Sequence, residues 1–173
     1  MTSPAPAPGF VRAYVAFGAN LGDPFSAFTA ARAALAALPH TQVVAHSSCY
    51  RSAPVGVPGE QPDYLNAVIA LDTALAPPAL LDALLAIETR GGRTRETTLA
   101  PRTIDLDLLL HGDAILNTPT LTLPHPRLHL RAFVLRPLAE LAPQLVVPGI
   151  GAVKDLLPGV ADQRIEQVTS PAS

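Results

Sequence analysis

The sequence predicts an α+β fold of ferredoxin-like βαββαβ order: an antiparallel sheet with helices packed on one face, and additional C-terminal elements. Two observations predict it. Segments alternating every second residue and segments with helical spacing follow one another as strand, helix, strand, strand, helix, strand, then a further helix. Proline, glycine or a polar turn bounds almost every one of them. A sheet of that order is mostly antiparallel and collects its helices on one face. The other face then has loops above it, where functional side chains can stand.

The elements are justified in order. Arg12 to Phe17 (RAYVAF) alternates and is rich in strand formers. The turn GANLGDP follows, with Asp23 or Ser26 as candidate cap of the next element. FSAFTAARAALAAL carries Ala and Leu at helical spacing and stops before Pro39. TQVVAHSSCYRS is β-branched and alternating, and predicts one strand. APVGVPGEQPD, broken by proline and glycine, is a loop. YLNAVIALDT predicts a strand with Asn66, Val68 and Ala70 on one face and Leu65, Ala67, Ile69 and Leu71 on the other. PPALLDALLAIETRGG opens on proline and closes on glycine, as a helix does. RTRETTLAP is a polar loop, and RTIDLDLLLHG is a strand. NTPTLTLPHPRLHL is irregular with a short extended piece. RAFVLRPLAELAP predicts a helix despite Pro137, and the chain after Pro148 is short and mixed. Residues 1–10, rich in Pro and Ala, predict a disordered tail, and residues 11–173 a single domain.

Composition narrows the function. With 173 residues, 49% hydrophobic, the chain holds enough apolar material for one core. A formal net charge of −2 argues against nucleic acid as a partner. Of 12 basic residues all but Lys154 are Arg, and seven of these lie from Arg90 to Arg136. The guanidinium fork matches phosphate and carboxylate oxygens, although compositional bias gives the same excess. The single cysteine, Cys49, excludes an intrachain disulfide and Cys-based zinc sites, and suits a reducing, cytoplasmic setting. The N-terminus lacks the pattern of a signal peptide. No apolar run reaches the roughly 18 residues of a membrane span.

Within RTIDLDLLLHG, Asp105 and Asp107 are two residues apart and so share a strand face, about 6.5 Å apart. Two carboxylates that close repel unless they are solvated, paired with Arg, or share a cation. Mg2+ fits the last option, because it takes one or two carboxylates plus substrate phosphates. Arg93, Arg95 and Arg102 flank the pair, which suits a polyphosphate. Neither GxxxxGK[ST] nor GxGxxG occurs, so a bound nucleotide would be held by metal and Arg. His125 stands between two prolines, so its backbone is stiff and its ring can donate to a phosphate, with a plain surface histidine as the alternative. Tyr64 and Asn66 share a face, a way to stack a flat heterocycle and read its edge. A half-exposed ring beside a polar edge residue is the plainer alternative for that pair.

Together, AFGANLGD, SSCYRSAPVG, QPDYLNAVIALDT, IETRGGRTR, APRTIDLDLLLHG and LPHPRLHLRAFVLRPLAELAP resemble the 6-hydroxymethyl-7,8-dihydropterin pyrophosphokinase family, from about Arg12 to about Gly149. The resemblance implies a folate-biosynthesis reaction in which the pterin hydroxymethyl oxygen attacks the β-phosphorus of ATP and AMP leaves. It implies two Mg2+ ions held by Asp105 and Asp107, with Asp107 also sharing in removal of the hydroxyl proton. By the same resemblance Arg93 and Arg102 contact phosphate and act in catalysis, Arg95 belongs to a mobile loop, and His125 and Arg131 bind ATP. Tyr64 and Phe133 would sandwich the pterin, and Asn66 would read its edge, helped by Ser52 and the Val55 backbone. Glu88 matches an acidic position near the adenine. The expected partners are ATP and the pterin, with a monomer acting alone.

Some positions depart from the family. Many members carry Arg-Trp before the Gly-Pro-Arg that opens the Asp-Leu-Asp strand; here Thr98, Leu99 and Ala100 stand there. Leu130 replaces a common Glu. Two other readings are a non-catalytic nucleotide- or ligand-binding domain on the same fold, and a glycosyltransferase using its carboxylate pair. A bare metal site would not need Tyr64, Asn66 and Phe133 together.

Overall fold

The computed structural model describes residues 4–53, 62–92 and 104–169. Its first half runs β1 (Val11–Ala19), α1 (Pro24–Ala36), β2 (Thr41–His46), β3 (Cys49–Ser52), β4 (Tyr64–Thr73), α2 (Pro77–Gly92) and β5 (Asp105–His111). A small hairpin, β6 (Leu116–Asn117) and β7 (Thr122–Leu123), leads through a 3-10 turn at Leu128–Leu130 into α3 (Ala132–Leu141). A second hairpin, β8 (Val146–Val147) and β9 (Gly151–Ala152), precedes α4 (Val153–Leu156) and β10 (Ile165–Val168).

Among the described residues the main sheet has six strands in the order β10-β3-β4-β1-β5, with β2 also paired to β4. Every pairing in it is antiparallel. The α1 helix starts where the sequence allows: Asp23 accepts from the Ser26 N–H at 3.3 Å, and Pro24 follows it. Arg12 and Asp72, opposite each other on β1 and β4, form an ion pair.

Two expectations change. The single strand predicted over residues 41–52 is two, β2 and β3, broken at Ser47 and Ser48. Ser47 donates its N–H to the Val68 carbonyl (2.8 Å), and its Oγ accepts from the Val68 N–H (2.9 Å). A side-chain oxygen thus replaces a ladder carbonyl, and the backbone turns out of register. Glu140 holds the break, accepting from the Ser48 N–H and hydroxyl, both at 2.9 Å, and from the Tyr50 hydroxyl at 2.6 Å.

The helices are also not confined to one face. Leu65, Ala67, Ile69 and Leu71 of β4 pack with Phe28 and Leu35 of α1 and with Leu80 and Leu84 of α2. On the opposite face Val68, Ala70 and Leu109 pack with Ala132, Leu135 and Leu138 of α3. Apolar side chains on both faces of β4 require cover on both, and loops do not exclude water as a helix does. The mixed C-terminal stretch has a defined place. It supplies β10, which pairs with β3 from Ile165 opposite Ser52 to Val168 opposite Cys49.

Candidate active site

The α3 face is apolar for only part of its length. Past Val68 and Leu109 the same face presents Asn66, Asp107 and Asp105. Strand register explains what happens there. Gly18 of β1 lies opposite both Asn66 and Asp105, and Ala16 lies opposite Val68 and Asp107. Two small residues between the polar strands leave a depression, and a cavity of about 940 Å³ opens over it. That volume is in the range of small-molecule sites. Ser52, Tyr64, Asn66, Asp105 and Asp107 line its sheet side, and Arg131 and Phe133 its α3 side. Seven residues singled out from sequence therefore meet in one place.

The polar groups are oriented. Asn66 is buried, and its amide donates to Ser52 Oγ (2.8 Å) and to the Tyr50 carbonyl (3.2 Å). A carbonyl only accepts, so the NH2 end must face it. Asn66 Oδ1 is turned toward Gly18, where an added Cβ would stand 3.7 Å from it. The donor end of the amide is thus taken up within the protein. Arg131 sits in extended backbone (φ −128, ψ 118) at the head of α3, its guanidinium carbon 5.4 Å from the centre of the Phe133 ring. The pair forms a cation–π contact at the cavity wall.

His125 lies beside this wall without being part of it. Its N–H donates to the Leu109 carbonyl (2.9 Å), and its Nδ1 accepts from the Arg127 N–H (3.1 Å). The neutral ring therefore carries its proton on Nε2. Burial pushes its pKa down; the Asp107 charge opposes this, and Arg131 and Arg127 add to it. Glu88 is in neither position. It is buried, and its Oε2 accepts from the Leu106 N–H at 2.7 Å, on the backbone between the two aspartates. It ties α2 to β5 and stands outside the cavity wall. Val55, Arg93, Arg95 and Arg102 fall outside the described residues, as do Thr98 and Leu99.

Asp105 and Asp107 are exposed on the cavity side of β5. Among the described residues no three His, Cys, Asp or Glu side chains converge as a metal cage. Two carboxylates suit an ion that completes its shell with water and phosphate oxygens, the habit of Mg2+.

Sequence reasoning missed Arg127, Gln163 and Arg164, which also line the cavity. Arg127 lay within the Arg-rich stretch and could have been found there. Gln163 and Arg164 could not, because only the pairing of β10 with β3 brings them to the site.

Residues 14–143 match the family model described as 7,8-dihydro-6-hydroxymethylpterin-pyrophosphokinase (HPPK). The chain belongs to this family. It is 48% identical over 157 residues to the 2-amino-4-hydroxy-6-hydroxymethyldihydropteridine pyrophosphokinase of Pseudomonas aeruginosa, covering 91% of this chain and 96% of that protein. It is 43% identical over 155 residues to the protein of the same name from Haemophilus influenzae, covering 90% and 96%. Among solved structures, Plasmodium falciparum HPPK-DHPS wild type with pteroate aligns with a TM-score of 0.68 at 12% identity over 86% of this chain. At that identity the likeness is one of fold. This chain spans 42% of the longer Plasmodium chain. Membership of the HPPK family agrees with the motif resemblance. Gln163 and Arg164 lie beyond the residues that the HPPK model matches.

Proposed function

We propose that this HPPK-family chain transfers pyrophosphate from ATP to the hydroxymethyl group of 6-hydroxymethyl-7,8-dihydropterin, releasing AMP, in folate biosynthesis. One observation supports this above the rest. One cavity is lined both by a carboxylate pair and arginines and by two aromatic rings and a buried amide. A bare metal site has no use for the second set.

In this reading Tyr64 and Phe133 hold the pterin ring between them, and Asn66 Oδ1 and Ser52 read its edge. The substrate hydroxymethyl oxygen then attacks the β-phosphorus, and the bond from that phosphorus to the oxygen bridging the α-phosphate breaks. AMP leaves with the bridging oxygen. Asp107 shares in accepting the hydroxyl proton. Arg131 and the His125 Nε2–H donate to phosphate oxygens, with Arg93, Arg95 and Arg102 as further phosphate ligands from the segment before β5. Asp105 and Asp107 would hold Mg2+, which neutralises phosphate oxygens when bound. Catalysis on these terms is positioning plus charge stabilisation. We also read the strand order, with β2 and β3 together beside β4, then β1, then β5, as ferredoxin-like, with α3 and the C-terminal elements added to it.

The direct test is AMP release from ATP with hydroxymethyl-dihydropterin. Release that depends on both Mg2+ and the pterin is expected. Pterin-independent hydrolysis of ATP, or no AMP at all, counts against the reading.

A further inference from the structure

We infer that Gln163 is a positioning residue of this site: it clamps the head of α3 to the C-terminal segment and so sets where Arg131 and Phe133 stand. The inference rests on the pyrophosphokinase reading for what the site binds, and on geometry for the clamp. The α3 helix starts without a cap of its own, since Arg131 at that position makes no side-chain cap hydrogen bond. An uncapped helix start leaves backbone N–H groups without partners. Gln163, 31 residues after Ala132, supplies one. Its Oε1 accepts from the Ala132 N–H at 2.8 Å, and its Nε2 donates to the Leu130 carbonyl at 2.8 Å. An N–H only donates and a carbonyl only accepts, so the two partners fix the amide orientation. Leu130 and Ala132 are the two neighbours of Arg131. The clamp therefore grips the backbone on both sides of a cavity-lining arginine, and Phe133 is the next residue on.

The other end of the segment is held as well. Ile165, two residues after Gln163, pairs with Ser52 of β3. Ser52 in turn binds the Asn66 amide on the opposite side of the cavity. Gln163 thus joins the wall that carries Ser52 and Asn66 to the wall that carries Arg131 and Phe133, and it lines the cavity between them. Losing the clamp frees one wall relative to the other and weakens the hold on both substrates. Gln163 is exposed, so its loss has little effect on the core.

The experiment compares Gln163→Ala, Gln163→Glu and Gln167→Ala in the whole chain. Gln167 lies on the same strand and bonds Ser48 Oγ at 3.2 Å, away from the α3 head, so it controls for general loosening of β10. Readouts are steady-state kinetics of AMP release, thermal unfolding, and hydrogen exchange at the Ala132 amide. Gln163→Ala is expected to raise KM for both substrates about tenfold, as loss of one or two modest hydrogen bonds would. It should leave kcat and the unfolding temperature nearly unchanged and speed exchange at Ala132. Gln163→Glu keeps the acceptor for Ala132 and should restore slow exchange there, with a smaller rise in KM for the pterin. Gln167→Ala should change none of these. The inference is overturned if Gln163→Ala leaves both KM values within twofold of wild type, or if Gln167→Ala raises them equally. A wild-type chain that releases no AMP counts against the pyrophosphokinase reading instead. Exchange at Ala132 still decides, without any activity, whether Gln163 holds the helix.

Discussion

On one face of the sheet α1 and α2 cover β4 and β5 from Leu65 to Leu71 and over Leu106 and Leu108. On the other, α3 covers the part around Val68, Ala70 and Leu109 and leaves the rest open. The same strands serve both faces. The difference lies in the cover, since α1 and α2 run 13 and 16 residues and α3 only 10. Among the described residues the closed face packs mainly apolar side chains, and the cavity of about 940 Å³ lies on the other face. The open end of the second face holds polar groups that packing would have desolvated at a cost. Among the described residues a site has been made here by leaving part of a sheet without a helix over it, while the helices behind support the strands.

That contrast is broken most sharply at Asp105. Asp105→Ala should lower kcat by about a thousandfold or more, the scale of losing a group that stabilises transition-state charge. Its unfolding temperature should stay close to wild type, because the carboxylate is exposed on the cavity side. Retained AMP release by this variant would remove the carboxylate pair from the mechanism.

Leu84→Ala is the reverse case on the closed face. Leu84 is fully buried on α2, and truncation should cost about 3 kcal/mol in urea-induced unfolding, as for other buried leucines. KM for both substrates in the remaining folded protein should be unchanged. A raised KM would mean that the two faces are not separable.

A third variant, Asn66→Ala, acts where both roles meet. Pterin affinity should fall about tenfold to a hundredfold, the worth of one or two lost hydrogen bonds, while KM for ATP stays within a few-fold. Calorimetry with a non-hydrolysable ATP analogue present would separate the two.

The smallest effect concerns how α3 is fastened. Burial would raise the Glu140 pKa, but hydrogen bonds from Tyr50 and Ser48 outweigh it, and the net shift is downward. The same contact, after burial, pushes the Tyr50 hydroxyl up. A carboxylate with a depressed folded pKa contributes stability above its unfolded pKa, near 4.3 for Glu, and loses it as pH falls through the folded value. Wild type should therefore exceed Glu140→Gln in stability at pH 7, with the gap closing as pH drops below about 4. Urea melts at several pH values would show it, and a gap constant with pH would assign Glu140 no charge role.

Much of this was legible in the chain itself. Alternation placed β1, β4 and β5 within two residues of their observed bounds, apart from the start of β5, because those strands alternate without interruption. It also put Asp105 with Asp107, and Tyr64 with Asn66, on shared faces, since side-chain direction in a strand follows from spacing alone. The break at Ser47 and Ser48 was not legible. Serine is at home in a strand, and only Val68 and Glu140, distant in sequence, turn it into a bend. The contact of Glu88 was not legible either, because only the packing of α2 against β5 brings it to the Leu106 N–H.

By itself, then, the sequence determined which segments alternate, which helices begin and end at proline and glycine, and which polar residues share a face. These depend on near neighbours and on the fixed geometry of the backbone. Only the tertiary structure decided that α3 stops short of the polar end of the sheet. It alone brought Gln163 and Arg164 into the cavity wall and set Glu88 against the Leu106 N–H. Those outcomes depend on strand pairing across tens of residues, and no local pattern encodes where a paired edge will lie.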